Sequence, residues 1–359
     1  MTEAATPALE QAFTGTRPVE ERHRFDQTRL EAWLKDNVAG YEGPLTVLQF
    51  KGGQSNPTYR LDTPSRSYVL RRKPFGKLLP SAHAVDREFR VISALHGAGF
   101  PVAKPYGLCM DDGVIGAAFY VMSMMEGRVL WDGALPKSSP AERRAIYLTE
   151  VDTLARLHQY DFAALGLGDY GKPGNYFTRQ IDRWTKQYRA SETKTIDAMN
   201  RLLEWLPRTV PPQDRTSIVH GDFRLDNMIF HATEPRVVAV LDWELSTLGD
   251  PLADFTYFLM NWQMRYDGRS GLIGLDFAAL NIPTAEEVVA QYCKLTGRPG
   301  VPDLEWYFAY NLFRISAISQ GIAGRIRDGT AASTQAIEIA ARAEPLAQAA
   351  WQFAQKAGA

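Results

Sequence analysis

Apolar and polar positions alternate over three short runs early in the chain, Leu45–Phe50, Thr58–Asp62 and Ser67–Arg72. Two further β-like runs, Lys104–Cys109 and Ala117–Ser123, flank the turn Asp111-Asp112-Gly113. Alternation of this kind predicts half-buried strands. Between the two groups, Ala82–His96 has helical spacing, with Val85, Phe89, Ile92 and Leu95 on one face. From residue 140 the pattern becomes mainly helical: 141–159, 176–190, 195–206, 251–262, 285–296, 304–327 and 334–355. Short apolar runs at 218–219 and 237–241 interrupt it. This ordering predicts an α+β protein with a small β-rich part before a larger helical part. Residues 1–24 read as a flexible arm, 25–126 as the β-rich unit and 127–359 as the helical unit, with Gly127 at the junction.

One segment carries chemistry. His220-Gly221-Asp222 leads to Asn227, five residues after Asp222, and Asp242 follows twenty residues after Asp222 at the end of an apolar run. Magnesium takes oxygen ligands in near-octahedral geometry. Asn227 and Asp242 can supply two of them, phosphates and water the rest. Asp222 then remains to orient an acceptor hydroxyl and take its proton. His220 is grouped with these residues as the brace of the loop. A tight turn would also favour His, Gly, Asp and Asn, but it does not account for the second Asp after a strand.

These residues resemble the signature of the aminoglycoside-phosphotransferase and choline-kinase superfamily, carried here by His220, Gly221, Asp222, Asn227, Asp242, Trp243 and Glu244. The resemblance extends over roughly 44–261. It is strongest to a branch associated with, or fused to, acyl-CoA dehydrogenases, through Gly52–Tyr59, Gly76–His83, Arg179–Trp184 and Leu248–Pro251. It implies a protein-kinase-like bilobal fold, ATP and magnesium, and phosphorylation of a small-molecule hydroxyl. It places the nucleotide lid at Gly52, Gly53, Gln54, Ser55 and Asn56, and adenine against Ser123, Met124 and Met125. Arg71 occupies the position of the phosphate-gripping lysine, with Glu88 to orient it. Arginine departs from the protein-kinase pattern there, although choline-kinase-like members also carry it, and Lys73 on the same strand face is a rival. Arg72 should point away into solvent.

Composition narrows the function. Apolar residues make up 45% and charged residues 23% of the 359, and the formal net charge is −1, so no global charge draws the chain to nucleic acid or an anionic membrane. No apolar run approaches the roughly 18 residues of a membrane span. Cys109 and Cys293 have no metal or redox spacing, as expected of reduced thiols in a cytoplasmic protein. Only eight residues separate Asp242 from Asp250-Pro251, too few for a protein kinase's activation segment. Asp250 and Asp254 read as structural groups at a helix start. Residues 172–216 carry nine Lys/Arg against five Asp/Glu, with Arg179, Arg183 and Lys186 on one helical face. That excess disfavours a polycationic aminoglycoside and suggests substrate contacts at Arg179 and Arg183, with a solvated basic face as the alternative; Glu244 is a further substrate-contact candidate. Trp184 and Tyr188 read as core. The resemblance implies an acceptor tied to acyl-CoA metabolism, possible in the form of a hydroxyacyl-CoA, and a functional link to an acyl-CoA dehydrogenase. A nucleotide-binding, pseudokinase-like module and an aminoglycoside or choline-type kinase are the alternatives.

Overall fold

The computed structural model describes residues 14–51, 56–74, 84–330 and 334–359. The first part is a six-stranded antiparallel sheet of β1 (Thr16–Arg17), β2 (Thr46–Phe50), β3 (Thr58–Asp62), β4 (Ser67–Arg72), β5 (Pro105–Cys109) and β6 (Phe119–Ser123). Its order is β1-β2-β3-β4-β6-β5. Helix α1 (Gln27–Asn37) starts where the Asp26 carboxylate accepts the Thr28 and Arg29 amides, and it buries Leu30 and Leu34. These pack with Tyr59, Tyr68, Leu70 and Phe119 on one face of the sheet. Helix α2 (Val85–Gly97) packs on β5 and β6, with Val85, Glu88, Val91, Ile92 and Leu95 buried.

Three expectations fail in this region. The reading of a flexible arm stops short of Thr16–Arg17, which pairs with Gln49 and Phe50 as an edge strand. Arg72 is not solvated: it is fully buried, with its guanidinium 5.7 Å from the Phe25 ring and 5.4 Å from the Tyr59 ring. Its strand face was read as open to water, but α1 and the chain before it cover that face. Asp111 and Asp112 also open a short helix, α3 (Asp112–Ile115), and not a bare turn.

The second part contains α4 (Pro140–Gln159), α5 (Tyr176–Ser191) and α6 (Asp197–Trp205). Two small hairpin-like pairs follow, β7 (Ser217–Val219) with β10 (Thr247–Gly249), and β8 (Met228–Phe230) with β9 (Val237–Val240). Then come α7 (Leu252–Leu259), α8 (Phe277–Leu280), α9 (Ala285–Thr296), α10 (Leu304–Arg327), α11 (Thr334–Ala341) and α12 (Ala343–Lys356). The single helix expected over 334–355 is therefore interrupted at Arg342. Helix α10 packs against α5, α7, α11 and α12 and is the centre of this half. Among the described residues no helix is long and apolar enough to cross a membrane.

The two parts meet at Gly127–Arg128. Arg128 exchanges both backbone hydrogen bonds with Phe230, at 2.8 Å each, which ties the end of the sheet to β8. Gly127 has φ +155°, and a Cβ there would run into the Phe230 carbonyl. Gly127→Ala should lower the unfolding free energy by about 2 kcal/mol or more, read as an earlier midpoint in urea denaturation. An unchanged midpoint would mean the junction relaxes freely.

Candidate active site

The site is built on the loop between β7 and β8. Strand β7 is fully buried and delivers His220 into the core, with no exposed surface. Gly221 then turns with φ +89°, and a Cβ would meet the Leu245 carbonyl oxygen at 2.8 Å. Asp254, in the first turn of α7, accepts the His220 amide on Oδ2 and the Gly221 amide, at 2.8 Å, on Oδ1. The Asp222 amide donates to His220 Nδ1 at 3.2 Å, so that nitrogen is unprotonated. The Nε2 proton therefore donates to Leu241 O at 2.8 Å. The Leu241 amide in turn donates to Asn227 O at 2.8 Å. Backbone bonds thus lock Asn227 beside the residue that precedes Asp242. Asp242 itself adopts φ +65°, ψ +62°, a left-handed conformation that a non-glycine residue holds only where its surroundings enforce it.

The Asp222 carboxylate is held on both sides. Oδ1 accepts from the Tyr257 hydroxyl at 2.9 Å and Oδ2 from the Asn227 amide at 3.0 Å. Arg224 Nε lies 3.4 Å from Oδ2. Burial pushes this carboxyl up, but the Arg224 charge, the Tyr257 hydrogen bond and the Arg314 charge together hold it below the usual aspartate range. Asn227 also donates to Asp222 O at 2.9 Å, so its amide nitrogen is committed and its oxygen is the ligand-capable atom. From α10, the Arg314 guanidinium donates to Gly221 O and lies 5.4 Å from the Tyr257 ring.

A second group faces these residues from the sheet. Arg71, on β4, has Nε 2.8 Å from Glu88 Oε2, a close ion pair, not an aligned hydrogen bond. Its Nη2 donates to Asp242 Oδ1 at 2.7 Å and to Glu244 Oε2 at 3.3 Å. Asn56 donates to Glu88 at 3.1 Å and to Glu244 at 3.3 Å, and the Tyr120 hydroxyl donates to Glu88 at 3.0 Å. Burial works against the Arg71 charge, but Glu88 and Asp242 outweigh it and keep the guanidinium protonated. Lys73 makes no ion pair with any described residue.

Among the described residues no three His, Cys, Asp or Glu side chains cluster to hold a metal. The available set is two hard oxygens, the Asp242 carboxylate and the Asn227 amide oxygen. Such a sparse set suits magnesium, which keeps waters and is completed by nucleotide phosphates. On the helical side of Asp222 lies a cavity of about 180 Å³. Arg224, Asp226 and Tyr257 border it next to the catalytic loop, with Trp131, Met264 and Ile315 among its apolar walls. Arg224 and Arg269 both pair with Asp226, at 3.1 and 2.8 Å.

The structure therefore brings together Asp222, Asn227, His220, Asp242, Arg71, Glu88 and Asn56. Glu244 sits beside Arg71 and is not among the residues that border the cavity. Gly52, Gly53, Gln54 and Ser55 lie outside the described residues. The Ser123 and Met124 amides donate within the sheet, to Lys104 O at 2.8 Å and Ser67 O at 3.4 Å. Arg179 donates to the carbonyls of Lys172 and Gly174, in the segment just before its own helix. Arg183 stacks on Trp184 at 5.4 Å, and Lys186 pairs with Asp182 at 2.8 Å on the surface. Trp184 and Tyr188 are core. Asp250 accepts the Leu252 amide at 2.9 Å, as a helix-start residue should. Sequence reasoning missed Arg224, Tyr257 and Arg314. Asp254 was seen, but not its hold on the His220 and Gly221 amides.

An antiparallel sheet, one helix carrying a glutamate to a strand cation, and a helical half carrying Asp222, Asn227 and Asp242 define a kinase-like phosphotransferase fold. A profile of the phosphotransferase enzyme family matches residues 46–299, and the chain belongs to that family. A crystal structure from Ralstonia eutropha, provisionally described as an aminoglycoside phosphotransferase, is 54% identical, with a TM-score of 0.86 over 93% of this chain and 99% of that one. Acyl-CoA dehydrogenase family member 10 of Mus musculus is 45% identical over 96% of this chain, and member 11 of Gallus gallus 44% identical over 93%. The matches span only 32% and 44% of those longer relatives. A thermostable aminoglycoside phosphotransferase mutant, solved with AMP-PNP and hygromycin B, shares the fold at a TM-score of 0.58 and 16% identity.

Asp254→Asn should expose how far the loop depends on its buried brace. An asparagine can accept only one of the two amides and turns an N–H toward the other. Stability should fall by about 1–3 kcal/mol, measured by chemical denaturation. A loss below a few tenths would show that the loop holds its shape without Asp254.

Proposed function

We propose that this protein transfers the γ-phosphoryl group of ATP, with magnesium, to a hydroxyl of a small metabolite, with a hydroxyacyl-CoA as the leading acceptor. The observation that carries this reading is the Asp222 carboxylate, held by Tyr257 and Asn227: Tyr257 borders the cavity, and Asn227 is tied through the Leu241 amide to the segment carrying Asp242 and its Arg71 partner.

Asp222 orients the acceptor hydroxyl through the carboxylate oxygens that Tyr257 and Asn227 position. The acceptor oxygen forms the new O–P bond as the bond between the γ-phosphorus and the β,γ-bridging oxygen breaks. ADP leaves, and the hydroxyl proton passes to Asp222 and then to water. An aspartate with a depressed pKa is a weak base, which suits a loose transition state in which the proton departs late. Magnesium, when bound by Asp242 and Asn227, neutralises phosphate charge. Arg71 is the phosphate-binding cation and Glu88 and Asn56 keep it in place. Because the Ser123 and Met124 amides are used within the sheet, the adenine edge is assigned to backbone groups from Met125 onward.

The acceptor assignment rests on the cavity and on the relatives. Arg224, Arg269 and Arg342 line it together with Asp226, Asp267 and Glu150 beside apolar walls; the cavity has no excess of carboxylates to draw a polycation, which suits an acceptor with an apolar body. The names of the mouse and chicken relatives support a connection to acyl-CoA chemistry.

ATP consumption screened over hydroxyacyl-CoAs, amino sugars, choline and free sugars tests the reading. Turnover should appear with a hydroxyacyl-CoA. Asp222→Ala should cost about 10²–10⁴-fold in kcat while calorimetry still detects metal-dependent ATP binding, and Asp242→Ala should abolish that binding. ATP binding with no turnover on any acceptor would favour a nucleotide-binding module.

A further inference from the structure

Glu150 lies in the middle of α4 with no exposed surface. Neither of its carboxyl oxygens has a hydrogen-bond partner among the described residues. It borders the cavity beside Asp222. A buried polar side chain left unmatched in this way needs a reason, and a ligand that is absent from the structure is one.

The charged neighbours around the cavity narrow what that ligand offers. Arg224 and Arg269 are committed to Asp226. Arg342 lies 3.8 Å from Asp267. On its own helix the nearest titratable group is Tyr147, whose hydroxyl donates to Gly133 O. No cation among these is left for Glu150. A fully buried carboxyl with no cation beside it favours its neutral form, and burial, then the Asp226 charge, push it well above the usual glutamate range. A protonated carboxyl offers one O–H donor and one carbonyl acceptor. It matches a hydroxyl or carbonyl oxygen and offers no charge to a guanidinium or ammonium group.

We propose that Glu150 is a specificity residue of the acceptor cavity, donating a hydrogen bond from its carboxyl group to an uncharged oxygen, hydroxyl or thioester carbonyl, of the acceptor. The proposal rests on the phosphotransfer reading above and adds to it the atom type the cavity selects. Glu150 takes no part in the bond changes at phosphorus; it fixes which molecule presents its hydroxyl to Asp222.

The test is steady-state kinetics of the full chain with the hydroxyacyl-CoA that turns over fastest, comparing Glu150→Leu with Glu150→Gln. Leucine removes the donor and should raise the acceptor KM by about tenfold, the worth of one buried hydrogen bond, with the KM for ATP unmoved. Glutamine keeps an N–H donor in place and should recover most of that loss. Equal acceptor KM values in wild type and both variants would overturn the proposal, as would a glutamine variant that folds normally yet is as impaired as leucine. Thermal melts give an arm that needs no acceptor. A carboxyl raised above its unfolded value of 4.5 stabilises the fold at low pH and progressively less as pH climbs toward its folded value. Glu150→Gln escapes that loss, so its melting temperature should exceed the wild type's by a margin that grows from pH 5 to pH 8. A constant margin would mean that Glu150 is not neutral, and the donor role would fall. If the wild type turns over no acceptor while the melts behave as described, the phosphotransfer reading fails and takes the recognition role with it.

Discussion

Arg71 carries a positive charge into the space between the sheet and the helical half, with 11% of its side chain exposed. A charge that far from water persists only when carboxylates surround it. Glu88 comes from α2, and Asp242 and Glu244 from the turn after β9, so one guanidinium joins three separate segments. Removing one partner of such a group typically costs about 3–5 kcal/mol, because the others remain buried and unmatched. The same group sets the electrostatics of the cleft. Three carboxylates face one guanidinium, a negative excess beside the position assigned to nucleotide phosphates. A divalent cation on Asp242 and Asn227 would offset that excess, which gives the metal a physical reason as well as a chemical one.

The Asp222 loop depends on a different set of interactions. Its backbone turns through Gly221, its amides end on Asp254, and its carbonyl at Gly221 is held by Arg314. His220 spends both ring nitrogens on the backbone, one on each side of the cleft floor. None of these groups touches the space an acceptor would fill. They fix the two carboxylates, and the left-handed backbone at Asp242 is held by them.

Much of this was legible in the chain. The alternating runs at 45–72 and 104–123 became the sheet, because each strand has one face on a core. The spacing of Asp222, Asn227 and Asp242 was readable because a short hairpin holds them together. What stayed hidden came from distant segments. Arg72 alternates with Arg71 and so looked outward, but α1 and Phe25 cover that face, a fact no local pattern contains. Tyr257 and Arg314 reach Asp222 from α7 and α10, and within their helices they look like ordinary core positions. Asp254 did leave a trace, four residues after Asp250 at a helix start, but only the fold shows whose amides it accepts. The basic stripe of Arg179, Arg183 and Lys186 misled because each has a local use, on loop carbonyls before the helix, an indole ring or a nearby aspartate.

The central claim is that Arg71, Asp242 and Asn227 form one nucleotide–metal site. Calorimetric titration of the wild-type chain with ATP, in the presence and absence of magnesium, tests it most directly. Tight binding should require magnesium, because without it the excess carboxylates at Glu88, Asp242 and Glu244 repel the phosphates. Equal affinity in the two conditions would contradict the account.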